Sequence, residues 1–296
     1  MAPRIFLVTG TSTGFGYELV KVILENKDHV VATARDSSKL KFDGTTESNY
    51  LAVDLDVTSQ SSIDKAFDTA LKKFGRVDVV VNNAGYGLAG VFESLSEKQI
   101  RTQMEVNFFG LINVTRKALE IMREQKGGVI QQVTSIGGQV GVPTFSICTY
   151  PKKLLDIIWL MFPDCASKWA VEGFTEAIQK ELKPEWNIKL TCIEPGGFRT
   201  DWAGRSMDFG EKEIAAYDHL NAKERMTKRH GTQAGDPAKA AKVFYDLAVM
   251  KDPPIRCIVG TDAYSMINQK LESYSESVKK FEEWSNSTDV EGYKAQ

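Results

Sequence analysis

The chain has 296 residues, 42% of them hydrophobic and 26% charged, with a formal net charge of -2. That length accommodates one large α/β domain with a full core, and the near-neutral balance excludes the electrostatic footprint expected of a nucleic-acid or anionic-membrane binder. The four cysteines, Cys148, Cys165, Cys192 and Cys257, show no CxxC or Cys/His metal spacing, so free thiols, no metal and a cytoplasmic location are expected.

Apolar runs of strand length alternate with helical periods along the chain. Residues 5–8 predict a first strand, followed by a Gly-rich turn and a helix over 17–26. Second and third strands are expected at 29–34 and 50–53, a helix at 62–74, and a fourth strand at 77–81. A long helical stretch over 100–124 precedes a fifth strand at 128–134; a helix at 166–182 precedes a sixth at 188–193. Short apolar runs between helices imply a parallel sheet covered on both faces, a Rossmann-type doubly wound α/β fold spanning 1–296 as a single domain. Residues 201–236 are polar and helix-prone and read as an excursion covering a substrate site. Within a C-terminal extension over 263–296, residues 263–286 read as a surface helix rich in Lys and Glu. The longest suspicious apolar stretch, 154–162, is interrupted by Asp156 and falls far short of the roughly 20 residues a spanning helix needs. No leader and no membrane contact are expected.

Thr9-Gly10-Thr11-Ser12-Thr13-Gly14-Phe15-Gly16 stands between the first strand and first helix. Glycines there let the backbone approach a pyrophosphate, and the helix N-terminus supplies N–H donors and a positive dipole. After the second strand, Ala34 occupies the place where NAD-preferring folds put an acid, and Arg35 follows. A cation there can pair with a 2′-phosphate, which favours NADP over NAD; an exposed arginine with no ligand is the plainer reading. Asp54 can accept a hydrogen bond from an adenine amino group or simply cap a turn. Asn82-Asn83-Ala84-Gly85 follows the fourth strand, where small residues permit close cofactor contact. Asn107 lies inside a helix, where an amide is poorly placed for propensity. Ser135 sets a hydroxyl at the carboxyl edge of the sheet, where α/β ligands bind. Pro195, Gly196, Gly197, Phe198, Arg199 and Thr200 follow the sixth strand, placed to cover one end of a cofactor.

Taken in order, these motifs resemble the short-chain dehydrogenase/reductase family over roughly residues 4 to 262. The segment 164–173, Asp-Cys-Ala-Ser-Lys-Trp-Ala-Val-Glu-Gly, resembles the family's active-site helix. The resemblance implies reversible hydride transfer between a nicotinamide and an alcohol or carbonyl carbon. It implies Ser135 as hydrogen-bond donor to the substrate oxygen, Lys168 on the nicotinamide ribose and near a tyrosine phenol, and Asn107 in a proton relay. The cofactor contacts it implies are Gly10, Ser12, Thr13, Gly14, Phe15, Gly16, Arg35, Asp54, Asn83, Ala84, Gly85, Lys168, Pro195, Gly196, Phe198 and Thr200. Partners follow: a small carbonyl or alcohol substrate, and a second copy, since family members often pair.

The family's tyrosine, four residues before Lys168, is replaced by Asp164. A carboxylate with a reference pKa near 4 beside a lysine is acceptor-only at neutral pH and cannot donate a proton to an alkoxide. Immediately upstream, residues 148–163 have no counterpart in the family pattern. Back-translation allows those residues to be an intron whose excision recreates a tyrosine codon, giving Ser-Ile-Tyr-Cys-Ala-Ser-Lys. Two functions follow: an NADP-dependent oxidoreductase impaired by an intruding segment, or a dinucleotide-binding pseudoenzyme acting as sensor or scaffold. Phe145, Trp202, Met207 and Phe209 are candidate apolar contacts for a lipophilic substrate, or anchors of the excursion.

Overall fold

In a computed structural model of the chain, which describes residues 2–141, 144 and 165–293, β1 (Ile5–Val8) is buried at all four positions. Phe6 and Val8 face one apolar layer and Leu7 the other, the pattern a strand shows when helices cover both faces. It leads through the Gly-rich turn into α1 (Gly14–Glu25), β2 (His29–Ala34), β3 (Tyr50–Asp54) and α2 (Gln60–Phe74). Helix α2 is capped by Ser59, whose hydroxyl accepts from Ser62 N, and stopped by Gly75 at φ +76, the left-handed geometry that favours glycine at a helix end. Then come β4 (Val79–Asn82), β5 (Gly87–Ala89), α3 (Glu97–Met104), α4 (Leu111–Gln125), β6 (Gly128–Val133), α5 (Cys165–Glu181) and β7 (Ile188–Pro195). The last elements are β8 (Met207–Phe209), α6 (Ala222–Arg229), α7 (Pro237–Val249), β9 (Arg256–Val259), α8 (Thr261–Lys280) and α9 (Glu282–Asn286).

Seven parallel strands run in the order β3-β2-β1-β4-β6-β7-β9. The doubly wound α/β expectation holds. One apolar layer joins the sheet to α1 and α7 through Leu19, Ile23, Phe244 and Tyr245; the other joins it to α2, α4 and α5 through Ile63, Phe67, Val114, Met122 and Ile178. Strand order reverses beside β1, between β1 and β4, and the crevice at those carboxyl ends is where such sheets bind ligands.

Several elements differ from the expectation. The helix expected over 100–124 is two helices, α3 and α4, joined by a π turn at Glu105–Gly110. Strand β9 and helix α7 escaped the sequence reading. The strand is four residues long at the sheet edge, while α7 carried a legible start: Asp236 accepts from Ala238 N and Lys239 N, with Pro237 at the first helical position. Residues 201–236 are tied down by β8, which pairs with β5 in a separate two-stranded sheet. Gln99 on α3 reinforces the tie, donating to the Asp208 carboxylate and the Phe209 carbonyl. Residues 148–163, Asp164 and Phe145 lie outside the described residues.

Candidate active site

The sheet's switch point is closed by Thr9, at the end of β1. Its buried hydroxyl accepts from Asn83 N and Ala84 N, both at 2.9 Å, and lies 3.3 Å from the Val81 carbonyl. Asn83 returns the contact, its side-chain amide donating to the Thr9 and Gly10 carbonyls at 3.0 and 2.9 Å. This packing admits no side chain at two glycines. A Cβ at Gly10, which also has φ +69, would stand 2.9 Å from Ala84 Cα; one at Gly16 would stand 2.5 Å from the Gly10 carbonyl oxygen.

Helix α1 begins here with an open end. Its cap residue, Thr13, makes no side-chain hydrogen bond to the first turn, so backbone N–H groups and the positive end of the helix dipole face the crevice. Ser12 is exposed and Thr13 and Gly14 are half-buried. The residues fit an anionic dinucleotide: a cradle that a Cβ would fill, beneath an uncapped helix N-terminus. Phe15 is different. Its ring packs on Phe198 and Phe244, each with centroids 5.1 Å away, so Phe15 and Phe198 offer the crevice backbone rather than aromatic surface.

At the far end of β2, Arg35 is exposed and Ala34 buried. Asp54 is held by Ser37, whose N–H and hydroxyl donate at 2.8 and 2.7 Å. Of the two readings open for Asp54, the turn cap describes its contacts. The sequence reading passed over Asp56, which accepts from the Thr58 hydroxyl and N–H. Those bonds, with the Arg35 charge as a lesser contribution, hold its carboxyl below the usual range. Asp56 therefore shares Arg35's electrostatic surroundings; its signal was a second acid two positions beyond the strand.

Asn107 sits in the π turn, a geometry common at functional sites. The wide turn presents its amide to one peptide group: Nδ2 donates to the Tyr86 carbonyl at 2.9 Å and Oδ1 accepts from Tyr86 N at 3.1 Å. Lys168, on the first turns of α5, donates to the Val133 carbonyl at 2.8 Å. Asn107 Oδ1 and Lys168 Nζ lie 3.2 and 3.9 Å from the point a Cβ on Gly85 would occupy, so amide, ammonium and the glycine backbone converge. Ser135, two residues beyond Val133, caps a short turn by accepting from Gly137 N at 3.0 Å. That turn packs on α5, a Gly138 Cβ being 3.2 Å from the Lys168 carbonyl. Ser167 is buried beside Asn107, with the amide 3.5 Å from its hydroxyl; the sequence motif includes this serine but assigns it no role.

The Pro195–Thr200 loop is fixed from two sides. Gly197 N donates to the Asp262 carboxylate at 2.7 Å, and Gly196 N to the Val259 carbonyl at 2.7 Å. Thr200 lies against Gly14, a Cβ there being 3.5 Å from Thr200 Cβ. One turn beyond Lys168, the buried carboxylates of Glu172 and Glu194 share Arg256 Nε at 3.0 and 3.7 Å, while the guanidinium also reaches Glu176. Burial, then the Glu172 charge, pushes Glu194 up to about 8. Trp202, Met207 and Phe209 pack half-buried on a third apolar cluster that includes Ile136, Val140 and Met226. Among the described residues no helix is long and apolar enough to cross a membrane.

Comparison with known proteins gives the same outline. A family profile described as short chain dehydrogenase matches residues 4–152 and 160–209. An uncharacterized oxidoreductase of Schizosaccharomyces pombe is 36% identical over 274 residues, covering 92% of this chain and 87% of that one. A 3-ketodihydrosphingosine reductase of Bacteroides thetaiotaomicron is 30% identical, with 88% and 89% covered. The crystal structure of a short-chain dehydrogenase from Streptomyces avermitilis superposes with a TM-score of 0.82 at 31% identity, covering 98% of this chain and all of that one.

Proposed function

The chain belongs to the short-chain dehydrogenase family of NAD(P)-dependent oxidoreductases, and from that premise we propose that it binds NADP and acts on an alcohol/ketone or alcohol/aldehyde pair. The observation that carries this reading is the meeting of Asn107, Lys168 and Gly85 beside an uncapped, glycine-lined helix end. The cofactor, when bound, supplies hydride transfer to or from the substrate carbon. Gly10, Gly14, Gly16 and the first N–H groups of α1 hold its pyrophosphate. Arg35 pairs with the 2′-phosphate, and Ala34 leaves no carboxylate to repel it. Asp56 takes the adenine-facing role in place of Asp54. The loop from Pro195 to Thr200 covers the other end, with Lys168 on the ribose.

For the chemistry, the Ser135 hydroxyl donates to the substrate oxygen as charge grows there. Lys168 provides a nearby cation, and Asn107, locked onto the Tyr86 peptide, positions a proton path. Asp164 is a poor proton donor, so turnover is impaired in the chain as it stands. The apolar faces of Trp202, Met207 and Phe209 under the 201–236 excursion support a lipophilic carbonyl substrate, the kind that the ketodihydrosphingosine reductase's name denotes for that protein. A second reading, a pseudoenzyme that binds dinucleotide only, is favoured by Asp164 itself.

Calorimetric titration with NADPH and NADH tests the cofactor assignment. Arg35→Ala should weaken NADPH binding by about 1–3 kcal/mol, the scale of a charge-assisted hydrogen bond, and leave NADH unmoved. Equal losses, or none, reject it. Deleting residues 148–163 together with Asp164→Tyr should raise turnover of a carbonyl panel by on the order of 10²–10⁴-fold. NADPH binding with no turnover after that repair supports the pseudoenzyme.

A further inference from the structure

Two carboxylates lie buried where three parts of the site meet. Glu172 on α5, one turn beyond Lys168, is 3% exposed, and Glu194 on β7, which leads directly into Pro195, is 1% exposed. Both depend on one cation: Arg256 Nε lies 3.0 Å from Glu172 Oε2 and 3.7 Å from Glu194 Oε1. That guanidinium is shared further, donating to Glu176 at 2.7 Å. Glu172 Oε1 is buried, yet it accepts no hydrogen bond among the described residues.

The neighbouring site elements rest on this pair. Gln139, at the end of the turn that Ser135 caps, donates its amide to Glu194 Oε1 at 3.3 Å. A Cβ on Gly138 would stand 3.0 Å from Glu172 Cγ, so the same turn lies against Glu172. Gly196 N, two residues beyond Glu194, donates to the Val259 carbonyl on β9 at 2.7 Å, the strand that carries Arg256. The other charged and titratable neighbours are engaged elsewhere. Lys168 turns its ammonium to the Val133 carbonyl, and Lys270 of α8 turns its own to the Gln139 carbonyl. Lys180 pairs with Glu176 at 2.8 Å. Burial, then the Glu172 charge, raises the Cys192 thiol on β7; burial, then the Glu194 charge, raises Cys257 on β9. Both thiols therefore stay neutral beside the pair.

Two like charges at this depth are not both sustained by one shared guanidinium. The two carboxyls lie within hydrogen-bond reach of each other. A single proton between them removes one charge and gives Glu172 Oε1 the donor it lacks. We propose that Glu172 and Glu194 share one proton and act as positioning residues, locking the Ser135 turn and the Pro195–Thr200 loop to the Lys168 helix, so that NADPH binding weakens when the proton leaves. This role rests on the reading of those elements as the NADP site.

Calorimetric titration of the full chain with NADPH at pH 7, 8 and 9 tests it. Glu194 holds its proton up to about 8, so above that pH binding to the locked form must take the proton back up. Affinity should fall about tenfold from pH 7 to 9, and titrations in buffers of different ionisation enthalpy should show uptake of about one proton per NADPH at pH 9. Glu194→Gln and Glu172→Gln each place an uncharged donor where the proton stood. Both should bind at every pH as tightly as the parent does at pH 7, without that uptake. A parent affinity that stays level from pH 7 to 9 overturns the proposal, as does the same decline in both amide variants. Amide variants that fold, by thermal melt, yet bind more weakly than the parent at pH 9 overturn it too, because a lost contact rather than a kept proton then explains them. If one variant fails to fold, the other and the parent's own proton uptake decide. No NADPH binding by any of the three proteins at any pH removes the cofactor reading and this role with it.

Discussion

Replacing the Thr9 hydroxyl by a methyl, Thr9→Val, conserves shape in the core and removes one oxygen. That oxygen accepts from two backbone N–H groups, Asn83 N and Ala84 N, each at 2.9 Å. A buried donor left without a partner costs about 1–3 kcal/mol. Asn83 N keeps a 3.1 Å bond to the Val81 carbonyl, so Ala84 N is the donor left without its acceptor, in a half-buried turn that water partly reaches. The expected loss is about 1–2 kcal/mol, against the 5–15 kcal/mol that holds a typical domain folded. With a urea slope of about 3 kcal/mol/M the midpoint falls by roughly 0.3–0.7 M. Thr9→Ser keeps the acceptor and should stay within about 1 kcal/mol of the parent, losing only the methyl's burial. Urea unfolding followed by tryptophan fluorescence reads all three proteins. A valine variant as stable as the parent, or a serine variant as damaged as the valine one, refutes the role given to the hydroxyl.

Gly16→Ala should abolish measurable NADPH binding and cost about 1–3 kcal/mol of stability, because its Cβ would lie 2.5 Å from a backbone oxygen that cannot move aside; binding within threefold of the parent contradicts this. Glu194 holds its proton in the folded chain up to about 8, whereas in the unfolded chain it releases it near 4. The folded state therefore binds more protons in between, and stability should fall as pH rises from about 5 to 8 and level off above. Glu194→Gln should flatten that slope, and an unchanged slope across the same pH series argues against the assignment. Asp262→Ala should speed hydrogen exchange at the Gly197 amide, which loses its 2.7 Å acceptor; an unaltered exchange rate means the loop is held by other contacts.

The parallel sheet was legible because its strands are short apolar runs, buried on both faces, separated by helical periods. Thr9 to Gly16, Asn82 to Gly85 and Lys168 were legible because backbone approach and charge demand particular residue types at particular spacings. What escaped was decided by tertiary context. Strand β9 is four residues and opens with Arg256, whose charge is matched by Glu172 and Glu176 on α5 and Glu194 on β7. The orientation of Phe15 into the core depends on Phe244, more than two hundred residues away in sequence. Asp54 and Asp56 are the same residue type two positions apart, and what separates them is that Ser37 holds the one and Thr58 the other.

The π turn between α3 and α4 has a consequence for what this segment tolerates. A π turn amounts to one extra residue wound into an α-helix, and one residue is about 100° of rotation. Removing any single residue between Glu105 and Gly110 would let the two helices fuse into one rod. Everything on one side of the join would then rotate by about that angle relative to the other. Asn107 would swing off the Tyr86 peptide, or Gly110 would lose its close seat against Val57. The number of residues in this stretch is thus under tighter constraint than the identity of most of them.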